Sequence, residues 1–424
     1  MALVYPFRGL RYRKEAVGDF NRVVTQPYDK MTPLMQDKYY RRSPFNVVRV
    51  TLNLEKESDP ETEYPQAGSV FRQWIAEEVL IQDSLPAMYA YYQEYRVEGQ
   101  TRLQRGFIAL LDLEKSGAGI IPHEHTLAAP KQDRLRLMHS IEANEDLIYM
   151  LYSDEKLTIN RIMDESISGR KADIEVTDEY GAIHRLWAIS NPEALKAIQA
   201  AMVSQKLFIA DGHHRFETSV NFMHECREKG WKPAGVESFD KRMVTCFNSA
   251  DGVTILPTHR MIRDLLEFKP EAFLRSIQEY FEVEPVSSAP ALWEKMHKER
   301  SNTVIGFYPA GLRKFFLLRL KKEANINREL DVRVLHSVLL DRFLGIDASK
   351  LAAQAHVDYV RERESCVQLI DEGKYQAAFF LNPTTAEQMQ RIASRGERMP
   401  QKSTDFFPKL LTGLVFMKMR IQKD

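Results

Sequence analysis

The sequence predicts a mixed α/β protein of the α+β type, built from more than one domain. Short strand patterns stand in pairs along the chain as often as they alternate with helical patterns, unlike the regular alternation of a doubly wound fold. The chain has 424 residues, of which 44% are hydrophobic and 28% charged. This length suits two or three domains, and this composition excludes wholesale disorder.

The first half of the chain contains the clearest elements. Residues 1–100 form a predicted N-terminal α/β region, with a helical pattern at SVFRQWIAEEVLI. The segments MYAYYQEYRV and QTRLQRGFIALLDL are rich in aromatic and β-branched residues, and they predict a hairpin with its turn at Glu98-Gly99. Residues 101–262 form a predicted core region, in which Asn191 should cap one helix and Gly230 should end another.

The remaining residues, 263–424, predict a C-terminal α/β region. Strand patterns occur at TVIGFYP, KFFLLRL and YQAAFFLNP, and helical patterns lie between them. The apolar stretch FPKLLTGLVFMKM near the end predicts a last helix.

The charges and cysteines restrict the class of partner. The chain has 59 basic and 59 acidic residues, which argues against a protein that coats nucleic acid but permits a local basic site. Three widely separated cysteines predict neither disulfides nor a thiolate zinc site. No apolar stretch approaches the roughly 20 residues that span a bilayer. We therefore expect a cytoplasmic protein without a nucleic-acid or membrane partner.

The strongest local signal is the segment KLFIADGHHRFETS, residues 206–219. A strand should end near Ala210 and a helix should begin near His213, where unpaired N–H groups and the helix dipole attract anions. Gly212 permits close approach of an anion, and His213, His214 and Arg215 add donors. The pattern therefore predicts a phosphate-binding turn, although a simple capped turn would also fit it.

Asp211 precedes this turn and would repel a bare phosphate. It is predicted to hold a histidine, cap the helix or bind Mg²⁺ that bridges phosphates. A zinc site is the weaker alternative, because adjacent His213 and His214 lack the i, i+4 spacing that favours one metal ion on a helix.

A second polar cluster precedes the predicted helix RLRLMHS. Glu124 lies between two histidines and is a candidate general base. Lys131 and Arg134 are one helical turn apart and are candidates for binding phosphate oxygens. Taken alone, the cluster also fits a solvated loop. The set that we assign here to catalysis or substrate binding is His123, Glu124, His125 and Thr126.

Pro27-Tyr28-Asp29 resembles an ordinary turn and carries no functional prediction. His336 lies in the apolar pattern LDVRVLHSVLL and is expected to be a core histidine.

Together these motifs suggest a family. ADGHHRFET, PHEHT, the Lys131–Arg134 segment and the tail MPQKSTDFFPKLLTGLVF resemble the family called domain of unknown function 1015. The strand–Asp-Gly-His-His-Arg–helix segment is also similar to the phosphate-binding motif of the ParB/sulfiredoxin-like superfamily, which includes a nucleotide-dependent free-serine kinase. The resemblance implies a ParB/sulfiredoxin-like core with N-terminal and C-terminal α/β extensions. The long separation of Glu124 from Asp211 then implies an insertion near 155–195.

The same resemblance implies a function. It suggests a phosphotransferase, a kinase or its reverse, acting between ATP or ADP with Mg²⁺ and a small hydroxy metabolite such as serine or phosphoserine. Glu124 would be the catalytic glutamate, with His123 and Asp211 as further catalytic groups. The Gly212–Arg215 turn would bind phosphate. The alternatives are a nucleotide-binding regulatory protein without kinase activity and a scaffold in which the turn is only structural.

Overall fold

Two β-sheets, one of nine strands and one of six, organise the chain in the computed structural model. The structure describes residues 1–52, 60–124, 126 and 128–423, with the backbone alone at 60–63, 128 and 129. The chain divides into two compact units: unit 1 comprises Met1–Val253 and Pro408–Asp424, and unit 2 comprises Thr254–Phe407. The three regions proposed from the sequence, 1–100, 101–262 and 263–424, stay a prediction.

The helices, in chain order, are α1 (Lys14–Val17), α2 (Pro33–Arg42), α3 (Val48–Thr51), α4 (Pro60–Ala76), α5 (Ala128–Ile141), α6 (Thr158–Ile167), α7 (Pro192–Val203), α8 (His213–Glu228), α9 (Pro270–Ser276), α10 (Ala289–Lys298), α11 (Asp331–Val334), α12 (Ala348–Ala352), α13 (Arg363–Asp371) and α14 (Ala386–Ser394). A π-helix, Leu335–Phe343, continues α11, and 3-10 turns occur at Phe20–Arg22, Tyr28–Lys30, Gly117–Gly119 and Ile277–Glu279.

The strands of unit 1 that precede unit 2 are β1 (Val4–Tyr5), β2 (Leu10–Tyr12), β3 (Leu80–Gln82), β4 (Met88–Val97), β5 (Gln100–Asp112), β6 (Ile120–Ile121), β7 (Ala143–Asn144), β8 (Ile148–Tyr152), β9 (Ile174–Thr177), β10 (Ile183–Ile189), β11 (Leu207–Asp211), β12 (Lys232–Pro233) and β13 (Lys241–Asn248). The strands that follow are β14 (Thr254–Leu256), β15 (His259–Ile262), β16 (Phe281–Val286), β17 (Val304–Pro309), β18 (Phe315–Leu320), β19 (Val357–Val360), β20 (Ala377–Phe380), β21 (Asp405–Phe407), β22 (Met417–Lys418) and β23 (Ile421–Gln422).

The large sheet of unit 1 has the order β6-β11-β8-β13-β5-β4-β10-β9, with β1 added to β5. The pairs β6–β11 and β8–β13 are parallel, and the other pairs are antiparallel. Every residue of the central strand β13 is buried. Apolar side chains from β4, β5, β8, β11 and β13 share one core cluster with α6 and α7. This mixture of pairings confirms the mixed α/β class.

Most of the local predictions for unit 1 are confirmed. β4 and β5 form the predicted hairpin, and its turn residues Glu98 and Gly99 both have positive φ, 51° and 77°, as a type I′ turn requires. The side chain of Asn191 accepts hydrogen bonds from the N–H groups of Glu193 and Ala194 and caps α7. Strands β9 and β10, from the segment predicted as an insertion, continue the large sheet beyond β4.

Unit 2 is built on an antiparallel sheet with the order β16-β18-β17-β20-β15-β19. Its core cluster brings α10 and α13 together with the sheet through Leu292, Met296 and Cys366. The three strands predicted at TVIGFYP, KFFLLRL and YQAAFFLNP are present as β17, β18 and β20. His336 is buried, as predicted, and its Nε2 accepts a hydrogen bond from Arg260 at 3.2 Å.

The predicted last helix is wrong. The segment 408–423 returns to unit 1 and pairs in short extended pieces: Thr412 with Thr25, Phe416 with Leu10, β22 with β7 and β23 with β12. Gly413 has a φ of 97°, which no α-helix contains. Every residue from Leu410 to Met417 is buried. The apolar character of this segment therefore reflects burial of the whole segment, and not one apolar face of a helix.

Among the helices of the described residues, none combines the length and the apolarity needed to cross a bilayer.

Candidate functional site

The predicted turn lies at the end of β11, a buried strand of the large sheet. Gly212 follows with φ 94° and ψ 28°, and the 16-residue helix α8 begins at His213. The positive φ favours glycine, and a Cβ at Gly212 would also make a tight contact of 3.2 Å with the Arg215 guanidinium carbon. Because glycine occupies the N-cap, no N-cap side chain screens the first N–H groups of α8.

The second motif meets this turn. His123 is completely buried, and its Nδ1 lies 2.7 Å from the carbonyl oxygen of Ile209 on β11. The backbone N–H of His123 donates to Nε2 of His213 at 3.3 Å, and the two rings pack edge to face at 4.6 Å. Two motifs that are 90 residues apart in the chain therefore form one site.

These bonds define the protonation of both histidines. Nε2 of His213 accepts this hydrogen bond, which corresponds to the tautomer with the proton on Nδ1. Nδ1–H of His123 donates to a carbonyl oxygen, which leaves Nε2 as an acceptor or proton carrier. Glu124 Oε1 lies 3.9 Å from that Nε2, and the Glu124 side chain is 24% exposed. Glu124 is thus an accessible carboxylate beside a buried histidine.

Asp211 is held from several sides. Its Oδ2 accepts from Lys409 Nζ at 3.0 Å, its Oδ1 accepts from the Gly212 N–H at 2.8 Å, and Arg215 Nη2 lies 3.8 Å away. Burial alone would raise the pKa of Asp211, but the charges of Lys409, Arg215 and Lys30 outweigh it and hold the pKa far below its usual value. Asp211 is therefore ionised, and it is unsuited to act as a general base.

The same contacts bear on the predicted magnesium ligand. Lys409 and Arg215 already neutralise Asp211, so its carboxylate does not fit a resident Mg²⁺. Within the described part of the chain, no group of three or more His, Cys, Asp or Glu side chains is arranged to hold a metal ion.

Arg215 is a buried member of the site. Its side chain is only 5% exposed, donates to the Leu147 carbonyl oxygen and lies 3.8 Å from Asp146 Oδ2. Asp146 also pairs with the buried Arg242. Burial alone would lower the pKa of Arg215, but the charges of Asp146, Asp29 and Asp211 raise it. Arg215 thus places a fixed positive charge behind the turn.

Two further predicted residues are joined by a carboxylate on α8. Lys131 Nζ lies 2.8 Å from Glu217 Oε2, and Thr126 Oγ1 donates to the same oxygen at 2.6 Å. Glu217 therefore fastens the segment after Glu124 to α8. His125, between these groups, lies outside the described residues.

Arg134 lies deeper than its predicted role requires. Its side chain is 6% exposed, its guanidinium stacks on Tyr28 at 4.2 Å, and Nη1 donates to the Thr51 carbonyl oxygen at 2.7 Å. Through these contacts Arg134 connects the N-terminal segment with α5. The role of Arg134 in binding phosphate stays a prediction.

His214 is half-buried at the start of α8. Burial lowers its pKa, and the charges of Lys131 and Arg215 lower it further against the opposing effect of Asp29 and Glu217. Its ring is therefore neutral at pH 7 and acts as a hydrogen-bonding group rather than as a cation.

The sequence reasoning missed three contributors. The turn predicted at Pro27-Tyr28-Asp29 is present as a 3-10 turn over Tyr28–Lys30. Asp29 acts electrostatically on Arg215 and His214, and Lys30 acts on Asp211. Glu217 and Lys409 also belong to the site. Lys409 is part of the tail quoted for the family resemblance, which was the only signal for it, since its spacing from the turn is unrelated to its position in space.

Several solved structures resemble the chain, all at low identity. A conserved hypothetical protein from Pyrococcus furiosus is 13% identical, with a TM-score of 0.35 over 72% of this chain and 92% of its own. A free serine kinase in complex with AMP is 13% identical, with a TM-score of 0.35 over 70% and 86%. SbnI with a C-terminal truncation, from Staphylococcus aureus, is 10% identical, with a TM-score of 0.36 over 72% and 85%.

No curated protein sequence matches the chain. The model of one family, described as "Protein of unknown function (DUF1015)", matches residues 4–335. This match includes both motifs of the site, and it confirms the family resemblance seen in the sequence. The chain therefore belongs to the DUF1015 family.

Proposed function

We propose that the protein is a phosphotransferase that moves a phosphoryl group between a nucleotide and a small hydroxy metabolite, with serine or phosphoserine as the first candidate. The observation that carries this proposal is the contact between the two motifs. Glu124, an accessible carboxylate, follows the histidine whose backbone bonds His213 on the first turn of α8. A proton acceptor thus stands beside an anion-attracting helix terminus, as phosphoryl transfer to a hydroxyl requires.

In this proposal Glu124 accepts the proton of the attacking hydroxyl. His123 helps to orient it, because its own ring is fixed by the Ile209 carbonyl oxygen. The N–H groups of His213 and His214 bind the transferring phosphoryl group, and the neutral His214 side chain donates one further hydrogen bond. The ParB/sulfiredoxin-like core assigned to residues 101–262 is part of the same proposal.

Charge at the turn supports binding of a phosphate. Arg215 and Lys409 lie behind the turn and Lys30 acts on it, against the carboxylate of Asp211. Lys131 adds an ammonium group that is 25% exposed on α5. Since Asp211 is already neutralised, we assign it to holding the turn rather than to a metal ion. Mg²⁺ would arrive with the nucleotide, as part of that substrate.

The direct test is phosphoserine formation. The purified protein is expected to form phosphoserine from serine and either MgATP or MgADP. In the reverse direction, it is expected to transfer the phosphoryl group of phosphoserine to ADP. Glu124→Gln should lower kcat by about 10²- to 10⁴-fold, the usual contribution of a positioned general base, with little change in nucleotide affinity. The matched control is Glu225→Gln, which changes a carboxylate on α8 that pairs with His139 at 2.6 Å. Its kcat should equal that of the wild type.

Two results would contradict the proposal. Absence of turnover with serine and a panel of small alcohols, while nucleotides bind, would favour a regulatory nucleotide-binding protein. Absence of any nucleotide binding in calorimetry would contradict both the phosphotransferase and the regulatory nucleotide-binding protein.

A further inference from the structure

The last segment of the chain is fastened to the large sheet beside the site. Gln93 Nε2, on β4, donates to the carbonyl oxygen of Lys409 at 3.0 Å. The N–H of Leu411 donates to the hydroxyl of Tyr91, also on β4, at 3.4 Å. Both β4 side chains are completely buried. Two hydrogen bonds therefore fix the backbone on either side of Leu410.

A buried polar network fixes this attachment in turn. The Tyr91 hydroxyl lies 2.6 Å from Nδ1 of His184, and Nε2 of His184 lies 3.3 Å from Asp178 Oδ2. Gln26 Nε2 donates to the same Asp178 oxygen at 3.2 Å. These hydrogen bonds restrain the arrangement of Tyr91 and His184, because a displacement would leave buried polar groups without their partners.

The segment places an ammonium group against the site. Lys409 Nζ lies 3.0 Å from Asp211 Oδ2, with the lysine side chain 7% exposed and the aspartate side chain 22% exposed. The lysine thus supports the carboxylate from the interior. The other Asp211 oxygen accepts the Gly212 N–H, so the lysine acts through Asp211 on the residue that immediately precedes α8.

We propose that Lys409 is a positioning residue of the site: the segment 409–411, held by Gln93 and Tyr91, fixes the Asp211 carboxylate and through it the Gly212 turn. The inference rests on the proposed function only for the choice of ADP as the ligand, because the contacts that position the turn are all between protein groups. A purely stabilising ion pair would leave the local order of the turn unchanged in a folded variant.

The test uses the full chain and two measurements. Amide hydrogen exchange by mass spectrometry follows residues 211–215 without any ligand, and calorimetry follows ADP binding. Lys409→Met should accelerate exchange at 211–215 about tenfold and weaken ADP binding about tenfold or more, as expected when one member of a buried charge pair is lost. In the Asp211→Asn background, the same substitution should have little further effect.

The matched control is Lys418→Met. Lys418, on β22, belongs to the same C-terminal segment, and its Nζ lies 3.4 Å from Glu142 Oε2. Loss of this ion pair should leave exchange at 211–215 unchanged. Tyr91→Phe is a second variant in case Lys409→Met does not fold. It removes one hydroxyl that holds the segment, and it should also accelerate exchange at 211–215.

The outcomes separate this inference from the proposed function. Faster exchange confined to 211–215 supports positioning even if the wild type binds no ADP, a result that would contradict the proposed function alone. Exchange at 211–215 equal to the wild type in a folded Lys409→Met protein overturns the inference. Acceleration that is uniform over unit 1 overturns it also, since that pattern indicates general destabilisation.

Discussion

At the scale of the residue, the site depends on one backbone conformation. Gly212 has a φ of 94°, where a residue with a Cβ is strained, and Arg215 occupies the space beside it. Gly212→Ala should lower the free energy of unfolding by about 1–3 kcal/mol. It should also abolish ADP binding, because the displaced turn no longer presents its N–H groups. Urea unfolding and calorimetry measure the two effects.

Gly230→Ala is the control for this substitution. Gly230 also has a positive φ, 75°, but a Cβ added there would have no neighbour within 4 Å, and the residue is at the far end of α8. We expect a similar backbone penalty and unchanged ADP affinity. Equal loss of binding in both variants would show that general stability, and not the turn, controls affinity.

A second residue gives stability a predictable dependence on pH. Glu145 is buried beside Asp146, and its burial, with the charge of Asp146, raises its pKa to about 7 against the charges of Arg242 and Arg134. The folded protein then binds a proton between about pH 4.5 and 7 that the unfolded chain releases. This contribution to stability is complete below pH 4.5 and disappears as the pH rises to about 7.

Glu145→Gln removes that titration. From pH 5 to 7, the free energy of unfolding of the wild type should fall relative to the variant, by at most about 1.4 kcal/mol per pH unit. Glu142→Gln is the control: burial would raise the pKa of Glu142, but Lys423 and Lys418 lower it, so its difference should develop only in the acidic range. A difference for Glu145→Gln that is constant with pH would contradict this assignment.

At the scale of the element, side-chain contacts between α5 and α8 restrain one side of the site. Glu217 on α8 binds both Lys131 of α5 and Thr126, so it restrains the segment that carries Glu124. The Glu217 side chain is 41% exposed, and Glu217→Gln should change stability by less than about 1 kcal/mol. It should nevertheless lower kcat severalfold, because Glu124 loses its fixed position.

The helix pair provides its own control. His139 and Glu225 form the same kind of contact between α5 and α8, two helical turns farther from the site. Glu225→Gln should therefore match Glu217→Gln in stability and match the wild type in kcat. Equal kcat values for the two variants would show that the contact only joins the helices.

The elements also show how far sequence reasoning reaches. The β4–β5 hairpin and the start of α8 were predictable because their signals are local: a Glu-Gly turn between aromatic strands, and a glycine between an apolar strand and an amphipathic helix. The last segment was not, because an apolar run with Gly413 is compatible with several structures until its neighbours are known. Its burial against β7 and β12 selects extended pairing over a helix.

The same difference between local sequence signals and tertiary contacts applies to the residues of the site. The turn and the His123-Glu124 segment were predictable as candidates, since each is a compact cluster of reactive side chains. Lys409 and Glu217 were not, because their functional neighbours are defined by tertiary contacts alone. Tyr28 and Asp29 have the sequence of an ordinary turn and the local structure of one, and only their proximity to Arg134, Arg215 and His214 gives them importance.

At the scale of the whole molecule, the chain leaves unit 1 at Val253 and returns at Pro408. The returning segment is short but deeply buried: Leu411, Leu414 and Val415 are each 1% exposed, and Phe416 is completely buried. Full burial of one such side chain contributes about 1.5–3 kcal/mol. The segment therefore stabilises unit 1 through residues from the opposite end of the chain.

Deletion of residues 408–424 tests this division. Hydrogen exchange should show lost protection in residues 1–253 and retained protection in 254–407, because the sheet of unit 2 and its core lie within that range. Deletion of residues 421–424 alone removes only β23 and should leave the protection of β4, β5 and β13 intact. Equal loss of protection in both units after the longer deletion would show that the two fold as one cooperative structure, and the expected independence of unit 2 would then be wrong.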